Sequence, residues 1–342
     1  MRYRNVGKES FAVSEIAFGT GDNAGAMIHG SSADQLTLVE HALERGINLF
    51  DTSAAYGRGA AEVNLGRVLS DLGARDVLVT TKAFIPPSDF TRIGRKVTES
   101  LEDSLFRLRR DCVDILLLHN PIRSEPNPEN PLIMAMTEAQ ALEAALPAMV
   151  KAREAGKCRI LGLACDESET ATVIPVMDSG EFSMINFTYN LANPSAARHV
   201  DGLPDPINFE GLFASAARHD AWVAVVRPLA GGALASGVLK KGLEGMHGLS
   251  RGYFRMLPQV HEPMMRIARN FAFLDRPPEQ TLAEAAYRYI LMQPQVATVI
   301  GGFSDIAQLE DPLRAVAAGP LGEEDLRRIE AVHDEGFGEE PR

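Results

Sequence analysis

Four polar residues of complementary chemistry stand at or just behind apolar runs in the N-terminal part of the chain. Asp51 closes INLFD, Tyr56 lies in the turn SAAYG that follows, Lys82 closes LVTTK, and His119 follows DILLL. Taken singly, a lysine or histidine at such a place is more often a surface or hydrogen-bonded structural group. Together they make a proton-transfer set. A free tyrosine, with a pKa of about 10, is a weak acid at neutral pH, and a neighbouring ammonium favours the phenolate and lowers that pKa. On this reading Lys82 tunes Tyr56, Asp51 keeps the lysine charged and aimed, and His119 donates a hydrogen bond that orients a substrate carbonyl.

Such a set works only if the runs that end in these residues lie side by side. Eight short apolar, β-branched runs recur along the chain: SEIAFGT, INLFDTS, DVLVTTK, DILLLHN, RILGLAC, SMINFTY, WVAVVRP and ATVIGG. Strands buried on both faces are continuously apolar in this way. Amphipathic stretches alternate with them and predict helices over 32–45, 60–73, 91–109, 137–155, 167–178, 208–219, 279–292 and 304–317. Strand–helix alternation implies a parallel sheet, and eight units without a Gly/Ser- or Pro-rich divider fit a closed (β/α)8 barrel. One domain over 1–342 is therefore expected. A doubly wound sheet in two domains would want G-x-G-x-x-G after its first strand, and GTGDNAG at 19–25 has the wrong spacing.

In a barrel, chemistry belongs at the C-terminal strand tips. Neighbouring parallel strands lie about 5 Å apart, so the tips of the second, third and fourth strands bring Asp51, Tyr56, Lys82 and His119 within side-chain reach. Three segments longer than a barrel connection requires, 119–136, 190–207 and 231–257, each follow a strand tip and are expected to wall a substrate pocket; tolerated surface insertion is the bland alternative. The Gly-rich segment 231–257 is expected to be flexible when empty and to order over a bound cofactor.

Composition narrows the partners. With 34 Lys and Arg against 46 Asp and Glu, the formal charge is −12, and no basic cluster is interleaved with aromatics, so nucleic acid and anionic membrane surfaces are poor candidates. MRYRNVGKESFAVSEI has no apolar signal core and no run approaches the roughly 20 residues that span a bilayer, which predicts a cytoplasmic protein. Cys112, Cys158 and Cys165 form no C-x-x-C pair, which argues against a disulfide framework or a metal site; buried reduced thiols are expected. Oligomeric state has no signature in the sequence.

The chain resembles the aldo-keto reductase family. The resemblance runs from the FGTG of VSEIAFGTG near the start to the segment after the eighth strand. INLFDTSAAYG matches the family signature around its catalytic tyrosine, GRGAAEVNLGRVL at 57–69 echoes the stretch that follows, and LVTTK and DILLLHNP fit the lysine and histidine motifs. The resemblance implies a TIM barrel with a short N-terminal β-hairpin and a C-terminal helical extension, with the family's catalytic tetrad on Asp51, Tyr56, Lys82 and His119. It also implies a nicotinamide cofactor, NAD(P)H, lying extended across the barrel mouth, and reduction of a small aldehyde or ketone or oxidation of the matching alcohol or sugar.

Cofactor positions carry over by the same resemblance to Thr20 and Gly21, Asp51, Asn186, Arg227, Leu229, Gly231 and Gly232, and to Gly302, Ser304, Asp305 and Gln308 at the adenosine end. Departures accompany them. Ala164-Cys165 stands where the family commonly has Ser-Asn to hold the carboxamide, Val226 where an aromatic usually stacks on the nicotinamide, and Arg227 where a serine is common; a guanidinium there could contact phosphate or substrate. The family habit is NADPH. Yet Gly302, Phe303, Asp305 and Gln308 include no cation for a 2′-phosphate, which predicts NADH or weak discrimination, with Arg314 and Arg227 the residues able to rescue phosphate binding. Two other readings remain open. One is a cofactor-binding regulatory or sensor barrel with little turnover, motivated by those departures. The other is a Schiff-base lyase or aldolase acting through Lys82.

Overall fold

Eight buried runs pair in parallel and close on themselves: β3 (Ile16–Gly19), β4 (Leu49–Asp51), β5 (Leu78–Ala83), β6 (Val113–Leu118), β7 (Cys158–Ala164), β8 (Met184–Thr188), β9 (Trp222–Val226) and β10 (Val296–Gly302), with β10 against β3. Each expected strand segment contributes one stave. The computed structural model describes residues 1–7, 11–125, 134–200, 208–255 and 258–337. Alternate side chains fill the barrel, among them Ala17, Leu49, Ile115, Leu117, Ile160, Met184 and Ala224, while the others, such as Phe18, Phe50, Val79, Leu116 and Val225, pack outward under the helices. That two-sided burial is why the strands read as unbroken apolar runs. The antiparallel hairpin β1 (Tyr3–Val6) and β2 (Phe11–Ser14) plugs the N-terminal end with Val6, Phe11 and Val13, and Arg4 pins it by donating to the carbonyls of Leu291 at 2.8 Å and Val296 at 2.5 Å.

The helices fall where amphipathic spacing puts them, with ends shifted by up to a few residues: Ser32–Glu44, Ala60–Asp71, Ile93–Leu108, Thr170–Met177, Leu212–Arg218, Leu282–Leu291 and Ile306–Ala318. The stretch 137–155 is a composite. Thr137 and Gln140 form a capping box, Ala141–Ala145 widens to a π turn, and Leu146–Glu154 continues as α-helix. Pro147 has no N–H to return to the preceding turn, which favours the widening there.

Segment 231–257 has regular structure of its own. It holds a 3-10 turn at Ala230–Gly232 and helices over Ser236–Lys241 and Gly248–Arg255, with residues 256 and 257 outside those described. Val238, Met246 and Phe254 bury against Leu234, Met265 and Ala268, so tertiary packing offsets the cost of seven glycines that hide the pattern in sequence. Parts of the other two long segments, 126–133 and 201–207, lie outside the described residues. No helix among those described is long and apolar enough to cross a membrane.

The C-terminal extension is the helix Glu323–Asp334. Its inner face carries His333, 5% exposed, whose Nε2 donates to the Leu191 carbonyl at 2.8 Å amid the rings of Phe271, Tyr289 and Phe337. Burial, partly opposed by that hydrogen bond, pushes the imidazole down to about 4. The unfolded chain then takes up a proton near pH 6.5 that the folded chain refuses until about pH 4, so folding stability falls as pH drops through that window. His333→Gln, which can still donate to Leu191, is expected to remove about 1–3 kcal/mol of the loss between pH 7 and 4.5. Denaturant unfolding at the two pH values checks this; equal losses in both proteins would contradict the buried neutral histidine.

Candidate active site

Strand register brings the polar tips together. Asp51 ends β4 opposite Thr80, and β5 runs two residues further to Lys82, which faces Leu117 of β6. The Lys82 ammonium therefore rises beside the Asp51 carboxylate, donating to Oδ1 at 2.6 Å and to the Thr52 carbonyl at 2.8 Å. Both side chains are almost wholly buried, at 2% and 4% exposure. His119 directly follows β6, its own N–H bonded to the Ala83 carbonyl at 2.9 Å.

Tyr56 is held by a strained turn. Gly57, Arg58 and Gly59 follow it at φ of 54°, 55° and 91°, a left-handed run that glycine adopts freely and arginine does not. A Cβ on Gly57 would meet Ile28 at 2.8 Å, and the Gly57 N–H donates to Asp22 at 3.2 Å. The turn lays the Tyr56 ring with its centroid 4.8 Å from Lys82 Nζ and edge-on to His119, 5.7 Å between centroids. Phe84 flanks the imidazole from 6.0 Å.

Burial sets the protonation states. It disfavours a charged Lys82, but Asp51, and then Tyr56, more than restore that charge, so the ammonium is held above its ordinary value. Burial pushes the Asp51 carboxyl up and Lys82 draws it back. The Tyr56 phenol is likewise pushed up by burial; the Lys82 charge pulls it down without prevailing, and Asp51 adds to the rise. This corrects the sequence expectation that Lys82 brings the tyrosine net below its ordinary value. The phenol holds its proton. His119 is pushed down to about 3, by burial first and then by the Lys82 charge, and is neutral.

The remaining expected positions ring the same mouth. Thr20 is buried, with its hydroxyl donating to the Asp51 carbonyl at 3.1 Å, and a Cβ on Gly21 would stand 3.7 Å from the Tyr56 ring. Asn186 faces Ala164 across β7 and β8. One cleft is lined by Arg227, Leu229, Gly231, Gly232, Gly302 and Gln308. Gly302 closes on Ala24, 2.9 Å from a built Cβ. Ser304 donates to the Ala24 carbonyl at 2.7 Å and meets Ser250 at 3.0 Å, so the 231–257 segment is fastened to the tip of β10. Asp305 caps the helix Ile306–Ala318 by accepting from the Gln308 N–H at 2.8 Å.

Several participants went unnoticed in the sequence. Asp166 accepts from the Thr188 N–H and hydroxyl, both at 2.9 Å, and lies 3.1 Å from the Arg227 Nε, cross-linking the tips of β7, β8 and β9. That pairing occupies the guanidinium expected to seek phosphate, although 46% of its side chain stays exposed. His247 reaches to 3.8 Å from Asp305. Ser53 contacts His119 at 2.9 Å. No periodicity signals these residues; only Ser53 sits inside a recognised motif. Among the described residues no three His, Cys, Asp or Glu side chains gather into a metal-binding group.

A family model described as the Aldo/keto reductase family matches residues 15–334. Among solved structures, the holo form of aldo-keto reductase AKR11C1 from Bacillus halodurans is similar over 97% of this chain and 96% of that one, with a TM-score of 0.69 at 22% identity; at that identity the likeness speaks for the shared barrel. A match to the family model over nearly the whole chain, on a barrel whose mouth gathers these four residues, gives the assignment: the chain belongs to the aldo-keto reductase family.

Proposed function

We propose that this chain is an NAD(P)H-dependent oxidoreductase that reduces a small aldehyde or ketone, or oxidises the corresponding alcohol, with Tyr56 as general acid and base. The observation that carries this reading is the buried Lys82–Asp51 pair beneath a protonated Tyr56, next to a neutral His119. A carbonyl oxygen gaining negative charge at this spot would take the phenol proton, and the adjacent ammonium would stabilise the phenolate left behind. In the reverse direction the phenolate would accept the alcohol proton. Asp51 keeps Lys82 charged and in place, and His119 would donate to the same oxygen.

The residues fit a nicotinamide nucleotide. Asp51 Oδ2 is buried without a hydrogen-bond partner, which suits a ribose hydroxyl, and the backbone of Gly231, Gly232 and Gly302 borders the cleft where no side chain stands between it and a ligand. When bound, the nucleotide supplies or accepts the hydride. Thr20, Gly21, Asp51 and Asn186 would hold its nicotinamide half. Arg227, Leu229, Gly231 and Gly232 would border the pyrophosphate, and Gly302, Ser304, Asp305 and Gln308 the adenosine. The charged, ion-paired Lys82 is a poor nucleophile, which counts against a Schiff-base lyase. Ala164-Cys165 and Val226, which motivated a sensor reading, bear on cofactor affinity rather than on proton transfer.

The adenosine end favours the unphosphorylated nucleotide. Asp305 puts a carboxylate at the helix N-terminus where a 2′-phosphate would lie, and Gln308 Oε1 is used by the Ser304 N–H at 2.9 Å. Arg314 is engaged by Glu284 and Asp311, and Arg227 by Asp166.

Tyr56→Phe is expected to lower kcat for carbonyl reduction by about 10²–10⁴-fold while nucleotide affinity, read by calorimetry, changes little; undiminished turnover would remove Tyr56 from the role. Lys82→Met strands the Asp51 carboxylate at a cost of about 3–5 kcal/mol, so the variant to titrate pairs it with Asp51→Asn. Loss of the cation raises the tyrosine pKa, and residual alcohol oxidation, which needs the phenolate, should move to higher pH. An unshifted profile would contradict the assigned role. Steady-state kinetics with both nucleotides should give an NADPH preference below about 100-fold, or favour NADH; a larger NADPH preference, close to 3 kcal/mol, would require a phosphate-binding cation beyond those placed among the described residues.

A further inference from the structure

Ser53 lies two residues beyond Asp51, fully buried in the turn that leads to Tyr56. Its Oγ has two hydrogen-bond partners among the described residues: the Ala55 N–H, which it accepts at 3.1 Å, and His119 Nδ1 at 2.9 Å. A hydroxyl carries one proton and two acceptor sites, and a neutral imidazole carries one N–H on one of its two nitrogens. The contact with Nδ1 can therefore run in either direction.

If Nδ1–H donated to Ser53, the serine oxygen would accept twice and its own proton would be buried with no acceptor, a loss of about 1–3 kcal/mol. If the serine hydroxyl donates to Nδ1, every group is satisfied: Ala55 N–H enters one lone pair, the hydroxyl proton enters the imidazole lone pair, and the ring proton stands on Nε2. That nitrogen has no hydrogen-bond partner in the described structure and belongs to the ring lying edge-on to Tyr56. The imidazole stays neutral, because burial and Lys82 hold it down to about 3, so tautomer choice rather than charge decides which end can donate.

We propose that Ser53 is a positioning residue that fixes His119 as its Nε2–H tautomer, so that the ring offers a donor to the substrate oxygen beside Tyr56. The proposal rests on the reading of this mouth as a carbonyl-reducing site. Its test includes one readout that does not depend on turnover.

In protein labelled with 15N-histidine, two-bond nitrogen–proton correlations distinguish the tautomers, and His119→Gln identifies the His119 signals among the eight histidines. Wild type and Ser53→Thr are expected to show protonated Nε2, and Ser53→Ala a mixture or a shift to protonated Nδ1. With NADH and a simple aromatic aldehyde, Ser53→Ala is expected to lose about tenfold in kcat/KM, the size of one correctly oriented hydrogen bond, with NADH affinity unchanged and activity restored in Ser53→Thr. A wild-type His119 protonated on Nδ1 would overturn the proposal, as would a Ser53→Ala variant that keeps both the Nε2 tautomer and full kcat/KM. If Ser53→Ala does not fold, the wild-type and Ser53→Thr spectra decide. An Nε2-protonated His119 in a protein without carbonyl turnover would sink the functional reading and leave the tautomer assignment standing.

Discussion

The contact between Lys82 and Asp51 is the constraint on which the rest of the mouth depends. Two opposite charges are buried together at 2.6 Å, and their desolvation is tolerable only while each has the other. Lys82 has a second fixed acceptor in the Thr52 carbonyl, so the ammonium cannot swing away. That pair needs β4 and β5 in register, with Lys82 two residues beyond the last β4 pairing, and the register is enforced by the apolar side chains that fill the barrel interior. Core packing and active-site geometry are in this sense one problem, because a one-residue slip would turn Lys82 out among the helices.

Around the pair the chain accepts local strain. Arg58, Glu167, Arg227 and Ala230 all take positive φ without being glycine, and all sit in connections that follow β4, β7 or β9, on the mouth side of the barrel. Each such residue costs of order 1–3 kcal/mol and persists where surrounding contacts over-determine it. For Arg227 those contacts are visible: its carbonyl accepts from Asn190 at 2.8 Å and its guanidinium meets Asp166. The strained turn after Tyr56 aims the phenol, and the Asp166 cross-link gives the tips of β7, β8 and β9 a polar tie.

The segment 231–257 adds a second layer over this side of the mouth. Where the sequence suggests an open Gly-rich loop, apolar side chains from two short helices make a satellite core, and the Ser250–Ser304 contact fastens it to the strand tips.

The sequence by itself determined the architecture and which polar residues end its strands at the barrel mouth. Doubly buried strands must be continuously apolar, so SEIAFGT through ATVIGG were legible as eight staves, and a polar residue ending such a run can only be a tip. The tertiary structure decided what distance and burial control. Ser53 is spelled out in DTSAAYG, yet its partner His119 is 66 positions away, and no local pattern encodes that meeting. His247 and Asp166 are ordinary polar residues in the sequence until loops from different strands bring them to the mouth. The sign of the Tyr56 shift is the clearest case: the sequence supplied the neighbouring ammonium, which lowers the pKa, while only the fold supplied the burial that outweighs it. Charge is carried by residue type and can be read along a chain; desolvation belongs to the atoms that surround a group, which a sequence does not list.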